Sequence, residues 1–255
     1  MILLLGEDMR FINKIAVVTG GSTGIGKETI LKLNNEKAKV YNLDVVQTQD
    51  SNSTFIKCDV SDYEQVKNAV AKILEIEGKI DLLFANAGIH LFANIEETSI
   101  EEFEKVLSVN IKGVYFVLKE IIPIMKKQNK GNILLMGSDQ SFVGKGKSSA
   151  YGLTKGAIAQ LTKSTAIDYA DFNIKVNCIC PGTIDTPLLD KAVEKFKSLT
   201  GMENDEIKTL LEEAQPIKRI AQPEEIANVA CYLLSEENSF MTGAMVPVDG
   251  GYTCQ

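Results

Sequence analysis

The chain is predicted to fold as a single α/β domain, with a parallel sheet and helices on both of its faces. Two observations predict it. Short apolar runs alternate with stretches of helical period along the 255 residues, the pattern of parallel strands joined by right-handed crossovers. The first complete run, Ile15-Ala16-Val17-Val18, leads into a glycine-rich turn and then a helical pattern. Strand, glycine turn and helix in that order form the context in which such a turn holds phosphate.

The first strand is expected over 14–19 and the first helix over 24–35, joined by Thr19-Gly20-Gly21-Ser22-Thr23-Gly24-Ile25-Gly26. Glycines let the backbone turn tightly and approach a diphosphate, and the helix N-terminus adds N–H groups and a positive dipole end. A second strand over 38–43 closes on Asp44. An acidic side chain about 20 residues past the glycines can accept hydrogen bonds from ribose hydroxyls and would repel a 2′-phosphate. The turn contains no arginine, so NAD is the expected cofactor and NADP the less favoured one.

Strands over 54–58 and 80–85 flank a helix over 62–77, and a helical pattern over 99–127 contains Pro123. That proline is expected to bend or interrupt the helix, because it has no N–H to donate. Strands over 131–137, 173–179 and 244–248 alternate with helices over 148–170 and 222–234. Between Thr183 and about Pro216 the alternation lapses into a helical stretch rich in both charges. It is expected to be a lid at about 183–216, since ligands of open α/β sheets bind beyond the strand C-termini. Residues 1–10 are expected to be an N-terminal extension of a domain over 11–255.

Tyr151 and Lys155 are four apart in a helical stretch, so phenol and ammonium project from one helix face. A free phenol titrates near about 10, and a fixed cation beside it favours the phenolate. The expectation is a Tyr151 pKa lowered by Lys155, with Ser138 holding a substrate oxygen beside the phenol. Together they can move a proton on or off an alcohol oxygen while a hydride moves elsewhere.

These pieces carry a family resemblance. The turn at 19–26, Asp59, Asn86-Ala87-Gly88, Asn110, Ser138, Tyr151-Gly152-Leu153-Thr154-Lys155 and Pro181-Gly182 followed by Thr186 stand in that order. Spanning about Phe11 to Tyr252, they resemble the short-chain dehydrogenase/reductase family. The resemblance implies a Rossmann-type doubly wound parallel sheet of about seven strands, and Asn110, Ser138, Tyr151 and Lys155 as catalytic residues. Asn110 would join the lysine through water to solvent. It further implies cofactor contacts from Gly20, Ser22, Thr23, Gly24, Ile25, Gly26, Asp44, Asp59, Val60, Asn86, Ala87 and Gly88. Tyr151, Lys155, Pro181, Gly182, Ile184 and Thr186 complete that set, Asp59 and Val60 lying at the adenine and Ile184 and Thr186 at the nicotinamide. A homotetramer is implied as well.

The substrate is expected to be a small alcohol or ketone, touched by Ser138, Tyr151, Gln140 and the single histidine, His90. Polar side chains around Ser138, including Asp139, suit a sugar, polyol or hydroxy acid; as ordinary rim residues, His90 and Asp139 would recognise nothing. Lys145 and Lys147 either attract an anion or belong to a solvated loop. An NAD-dependent dehydrogenase of a polar secondary alcohol is the first reading. A 3-oxoacyl carrier-protein reductase is the second, a steroid dehydrogenase another, and a non-catalytic NAD-binding sensor the alternative outside enzymes.

Composition narrows the classes further. A formal net charge of −7 argues against nucleic acid as a partner. No apolar run reaches membrane-spanning length, and Ile2-Leu3-Leu4-Leu5 breaks at Gly6-Glu7-Asp8 without a signal-peptide pattern. Five scattered cysteines, Cys58, Cys178, Cys180, Cys231 and Cys254, read as reduced thiols, and a cytoplasmic location is expected. Cys178 and Cys180 share one strand face but lack partners for a metal site, so no metal is expected.

Overall fold

In the computed structural model, which describes residues 9–48 and 53–255, seven strands form one all-parallel sheet in the order β3-β2-β1-β4-β5-β6-β7. The strands are β1 (Ile15–Thr19), β2 (Lys39–Asp44), β3 (Thr54–Lys57), β4 (Leu82–Ala85), β5 (Gly131–Met136), β6 (Ile174–Pro181) and β7 (Met245–Val248). The helices are α1 (Gly24–Asn35), α2 (Tyr63–Glu77), α3 (Ile100–Leu107), α4 (Val114–Gln128), α5 (Ser149–Tyr169), α6 (Pro187–Thr200), α7 (Asn204–Glu213) and α8 (Pro223–Leu234).

The strands read as continuous apolar runs because both faces of the sheet are covered. Alternate strand residues feed two cores. Val17, Leu83, Ile133, Leu135 and Val176 pack with α2, α4 and α5, while Ala16, Val18, Phe84 and Leu134 pack with α1 and α8. The chain runs outward from β1 through β2 to β3, then crosses back to place β4 on the other side of β1. That reversal opens a crevice beyond the C-terminal ends of β1 and β4, where open α/β sheets bind their ligands.

One predicted helix differs from its expectation. The pattern over 99–127 is two helices, α3 and α4, joined through a π-helical stretch at Ser108–Gly113. Pro123 does not interrupt α4: it lies on the exposed side, and the helix runs on to Gln128. The irregularity falls earlier, at Asn110, and π-turns of this kind gather at functional positions.

The segment predicted as a lid holds α6 and α7. Thr186 caps α6, accepting the N–H of Leu189 on its hydroxyl. Of the predicted N-terminal extension, residues 1–8 lie outside the described residues. Arg10 pairs with Glu36 at 2.5 Å and Glu237 at 3.1 Å, tying this end of the chain to the end of α1 and to the loop after α8.

Candidate active site

The crevice has two walls of different construction. On one side, the glycine turn is held by close backbone contact. Gly20 has a φ of +64°, which favours glycine, and a methyl group there would stand 2.8 Å from Cα of Ala87. At Gly26 a methyl would stand 2.3 Å from the carbonyl oxygen of Gly20. Asn42, buried in β2, accepts the N–H of Gly21 at 3.0 Å and donates to the Ser22 hydroxyl at 3.0 Å. Nothing in the sequence marked Asn42 beyond its being polar in an apolar strand.

Asp44, the last residue of β2, accepts the N–H of Ser22 at 3.0 Å and of Val46 at 3.2 Å. The predicted acidic side chain therefore lies against the glycine turn. The side chains of Ser22 and Asn86 are both committed within the fold. The Ser22 hydroxyl donates to the carbonyl of Val46 at 2.5 Å. Asn86 donates to the carbonyls of Thr19 and Gly20 at 3.1 and 2.8 Å, bracing β4 to β1. Ala87 donates its N–H to the Thr19 hydroxyl at 3.0 Å, and Gly88 packs beside Asn110.

Asp59 falls two residues beyond β3 rather than at its end, and accepts the N–H and hydroxyl of Ser61 at 2.9 and 2.7 Å. Val60 packs on Gly113. Across the crevice, Pro181 ends β6, Gly182 donates to the carbonyl of Val248, and Ile184 bridges to Ala221. Thr186 approaches Gly24, so the segment that holds α6 and α7 begins against the glycine turn. Thr23 makes no side-chain capping bond at the start of α1, leading into Gly24-Ile25-Gly26. A helix N-terminus without a side-chain cap, opened by glycines, fits a phosphate-bearing dinucleotide.

The other wall is made of buried polar side chains. Ser138 follows β5, and Tyr151 and Lys155 lie on one face of α5, all three buried. Lys155 Nζ stands 5.4 Å from the Tyr151 ring centroid and donates to the carbonyl of Met136 at 2.8 Å. Burial lowers the Lys155 pKa to about 8, against an opposing influence from Cys178 and Cys180.

The Tyr151 phenol is shifted opposite to the expected direction. Burial pushes the phenol above its ordinary value; Ser138 opposes that rise, and Asp139 and Cys180 add to it. The ammonium is directed at a backbone carbonyl, and removing the phenolate from water outweighs its proximity.

Asn110 accepts the N–H of Ile89 at 2.9 Å and donates to the Ile89 carbonyl and the Thr154 hydroxyl at 2.9 and 3.1 Å. Thr154 in turn donates to the carbonyl of Tyr151. Asn110 thus joins the π-turn, the loop after β4 and α5.

His90 packs against the phenol. Its ring lies 4.6 Å from that of Tyr151 and faces Phe92, and Phe92 meets Phe196 of α6 at 5.4 Å. Burial, then the charges of Lys145 and Lys155, lower the His90 pKa to about 4, with Asp139 opposing. The ring is neutral near pH 7. The aromatic contact between this wall and α6 through Phe92 and Phe196 had no periodic signal in the sequence.

Asp139 is buried beside Ser138 and accepts its hydroxyl at 2.8 Å, while Lys145 pairs with the other carboxylate oxygen at 2.6 Å. Gln140 donates its N–H to the Ser138 hydroxyl at 3.2 Å. A cavity of about 360 Å³ beside this loop is lined by Gln140, Phe142, Lys145, Ser148 and Gly152, among others.

Cys178 and Cys180 are buried thiols with sulfurs 3.7 Å apart. Among the described residues no group of three or more His, Cys, Asp or Glu is placed to hold a metal ion, and no helix is long and apolar enough to cross a membrane.

Comparisons with known proteins agree with this geometry. The family model described as enoyl-(acyl carrier protein) reductase matches residues 20–253. The chain is 35% identical to the aldohexose dehydrogenase of Thermoplasma acidophilum, whose structure superposes with a TM-score of 0.91 over 98% of this chain and 96% of that one. It is 33% identical to cyclopentanol dehydrogenase from Comamonas sp., over 96% of this chain and 98% of the relative. It is 32% identical to a 3-oxoacyl-[acyl-carrier-protein] reductase of Thermotoga maritima, over 95% and 99%. Sheet order, the glycine turn and the Ser138, Tyr151 and Lys155 wall, together with these matches along the chain, place the protein in the short-chain dehydrogenase/reductase family of oxidoreductases.

Proposed function

We propose that the protein is an NAD-dependent dehydrogenase that interconverts a polar secondary alcohol, such as a sugar or polyol, with its ketone. The observation that carries the polar substrate is a pair of buried polar atoms with no hydrogen-bond partner among the described residues, Gln140 Oε1 and Ser148 Oγ. Both residues line the cavity shared with Phe142, Lys145 and Gly152, in the loop that follows Ser138 and Asp139. Leaving such groups unpaired costs stability, and substrate hydroxyls are suited to pair with them. The similarity to an aldohexose dehydrogenase supports the same class.

In this reading Asp44 selects NAD, since a 2′-phosphate at the end of β2 would meet its carboxylate. Bound NAD would supply the hydride acceptor and a positive ring charge that favours the Tyr151 phenolate. Tyr151 takes the alcohol proton in oxidation and returns it in reduction. Ser138 orients the substrate oxygen, and Lys155 holds the floor of the site through Met136. Asn110 keeps the helix register that carries Thr154 and Tyr151.

The assembly is proposed to be a homotetramer, cytoplasmic in location. Tyr115 of α4 and Leu153 and Ile167 of α5 are exposed apolar side chains on helices suited to pairing between copies; light scattering at monomer mass would overturn the tetramer. A second reading, a 3-oxoacyl carrier-protein reductase, is favoured by the similarity to such a reductase. A panel of sugars, polyols, simple alcohols and a 3-oxoacyl thioester, followed by NADH and NADPH absorbance, separates the two. Turnover of polyols with NAD supports the first reading. Turnover confined to the thioester with NADPH replaces it, and silence on the whole panel favours a sensor.

A further inference from the structure

His90 lies in the loop after β4, at the ligand end of the sheet, with its ring 4.6 Å from that of Tyr151 and 6.5 Å from that of Phe92. These contacts hold the imidazole without engaging its nitrogens: among the described residues no hydrogen bond reaches either one. The residue is half-buried, and burial first, then the charges of Lys145 and Lys155, keep the ring neutral. A neutral imidazole has one N–H to give and one lone pair to receive with. Both are left for a group that enters the cleft.

Two further observations gather unpaired polar atoms round the same phenol. Gln140 Oε1 lies against Gly152, the residue after Tyr151, where an added methyl would stand 3.3 Å from it. Ala93 bridges to Ser148, so the loop that carries His90 is joined to the one that carries the unpaired Ser148 hydroxyl. Phe92 is braced in turn by Phe196 of α6.

We propose that His90 is a specificity-determining residue that hydrogen-bonds the hydroxyl on the carbon next to the reacting carbinol, so that the substrate class is a vicinal diol. The proposal rests on the dehydrogenase reading above and narrows it from polar alcohols to 1,2-diols. Ser138 and Tyr151, themselves joined by a side-chain hydrogen bond, keep the reacting oxygen, and Tyr151 keeps its proton. The imidazole packs on the phenol itself, so the substrate atoms nearest to it belong to the carbon beside the carbinol. A hydroxyl both donates and accepts, and it pairs with either ring nitrogen whichever tautomer is present. A hydrogen atom in its place leaves the imidazole desolvated and unpaired, the arrangement that discriminates most strongly against an analogue lacking the group.

The test compares butane-2,3-diol with butan-2-ol, which differ by the adjacent hydroxyl alone, in NAD-linked oxidation by the full chain. The wild type should favour the diol by about tenfold or more in kcat/KM, as expected for a buried group that is paired rather than unpaired. His90→Phe keeps an aromatic ring but no nitrogen. The ratio of the two kcat/KM values should fall about tenfold, mostly through the Michaelis constant of the diol. His90→Gln keeps a donor and an acceptor and should retain more of the preference than His90→Phe. NADH binding by fluorescence reports that both variants are folded.

An unchanged ratio in folded His90→Phe overturns this proposal alone, as does a His90→Gln that retains less of the preference than His90→Phe. A wild type that oxidises other alcohols without favouring the diol does the same. A folded wild type silent toward all alcohols and ketones overturns the dehydrogenase reading and this proposal together.

Discussion

The two walls of the crevice reach their geometry by opposite means. The wall at the end of β1 is backbone against backbone, with Gly20 on Ala87, Gly26 on Gly20 and the Asn42 side chain filling the turn. The wall at the end of β5 is a cluster of ionisable side chains, the buried Asp139, Lys155 and Tyr151 with half-buried His90, and Lys145 at its edge. The first depends on shape and tolerates no added atom. The second depends on desolvated charge and is sensitive to protons. Mutations on the first wall should change cofactor affinity and stability at every pH, whereas mutations on the second should change turnover and pH dependence.

The largest expected effect tests that division at the phenol. Tyr151→Phe removes a single oxygen from the second wall. Turnover should fall by about 10²–10⁴-fold or more, the contribution of a positioned acid–base group, while NADH affinity stays within about twofold. Substantial residual turnover would remove Tyr151 from the acid–base role. A large loss of NADH binding would mean that the two walls are not separable.

Next comes Gly26→Ala on the first wall. The added methyl would stand 2.3 Å from the Gly20 carbonyl oxygen and 2.6 Å from Asn86 Nδ2. The first is backbone and the second is held by the carbonyls of Thr19 and Gly20, so the turn must move. Overpacking of this kind costs about 1–3 kcal/mol, read as a lower Tm, and NADH affinity should fall at least about tenfold. A variant with wild-type affinity would show that the turn does not carry the dinucleotide.

Much of this division was legible in the sequence. The glycine turn announces itself because shape constraints act on residue type: few residues besides glycine fit a φ of +64° against a neighbouring backbone. The strands were legible because each is buried on both faces. Tyr151 and Lys155 could be read as one helix face from their spacing. What spacing could not reveal was the balance of energies there, since the desolvation of Tyr151 depends on strands and loops far away in sequence. The π-turn at Ser108–Gly113 carries no glycine or proline breaker within its helical pattern until its last residue, while the more conspicuous Pro123 leaves α4 intact. Asp139 stood next to Ser138 in the sequence, but its pairing with Lys145 depends on how the loop folds back.

Asp44 belongs to both walls in character, a carboxylate bound to the glycine turn. Asp44→Ala removes its charge and its bonds to the Ser22 and Val46 N–H groups. The ratio of kcat/KM for NAD over NADP should fall about tenfold or more, while kcat with NAD changes less than in Tyr151→Phe. An unchanged ratio would refute Asp44 as the selector.

The smallest effect isolates the sensitivity of the second wall to protons. His90 titrates at about 4 in the native protein against 6.5 ordinarily. Between those values the unfolded chain binds a proton that the native state does not, so stability rises with pH through that window and is lost as pH falls from about 6.5 to 4. Lys155 acts likewise at higher pH, since its lowered value, about 8 against 10.5, makes stability rise across that upper window. In His90→Phe an aromatic ring still packs on Tyr151 and Phe92, but the proton is gone. The slope of Tm against pH should flatten between about 4 and 6.5 and remain unchanged above it, with about 2–4 °C in Tm for each kcal/mol involved. Gly26→Ala should lower the whole curve without altering that slope. An equal flattening in both variants would mean that the acid sensitivity arises elsewhere, and the contrast between a wall set by shape and a wall set by charge would fail at its most direct measurement.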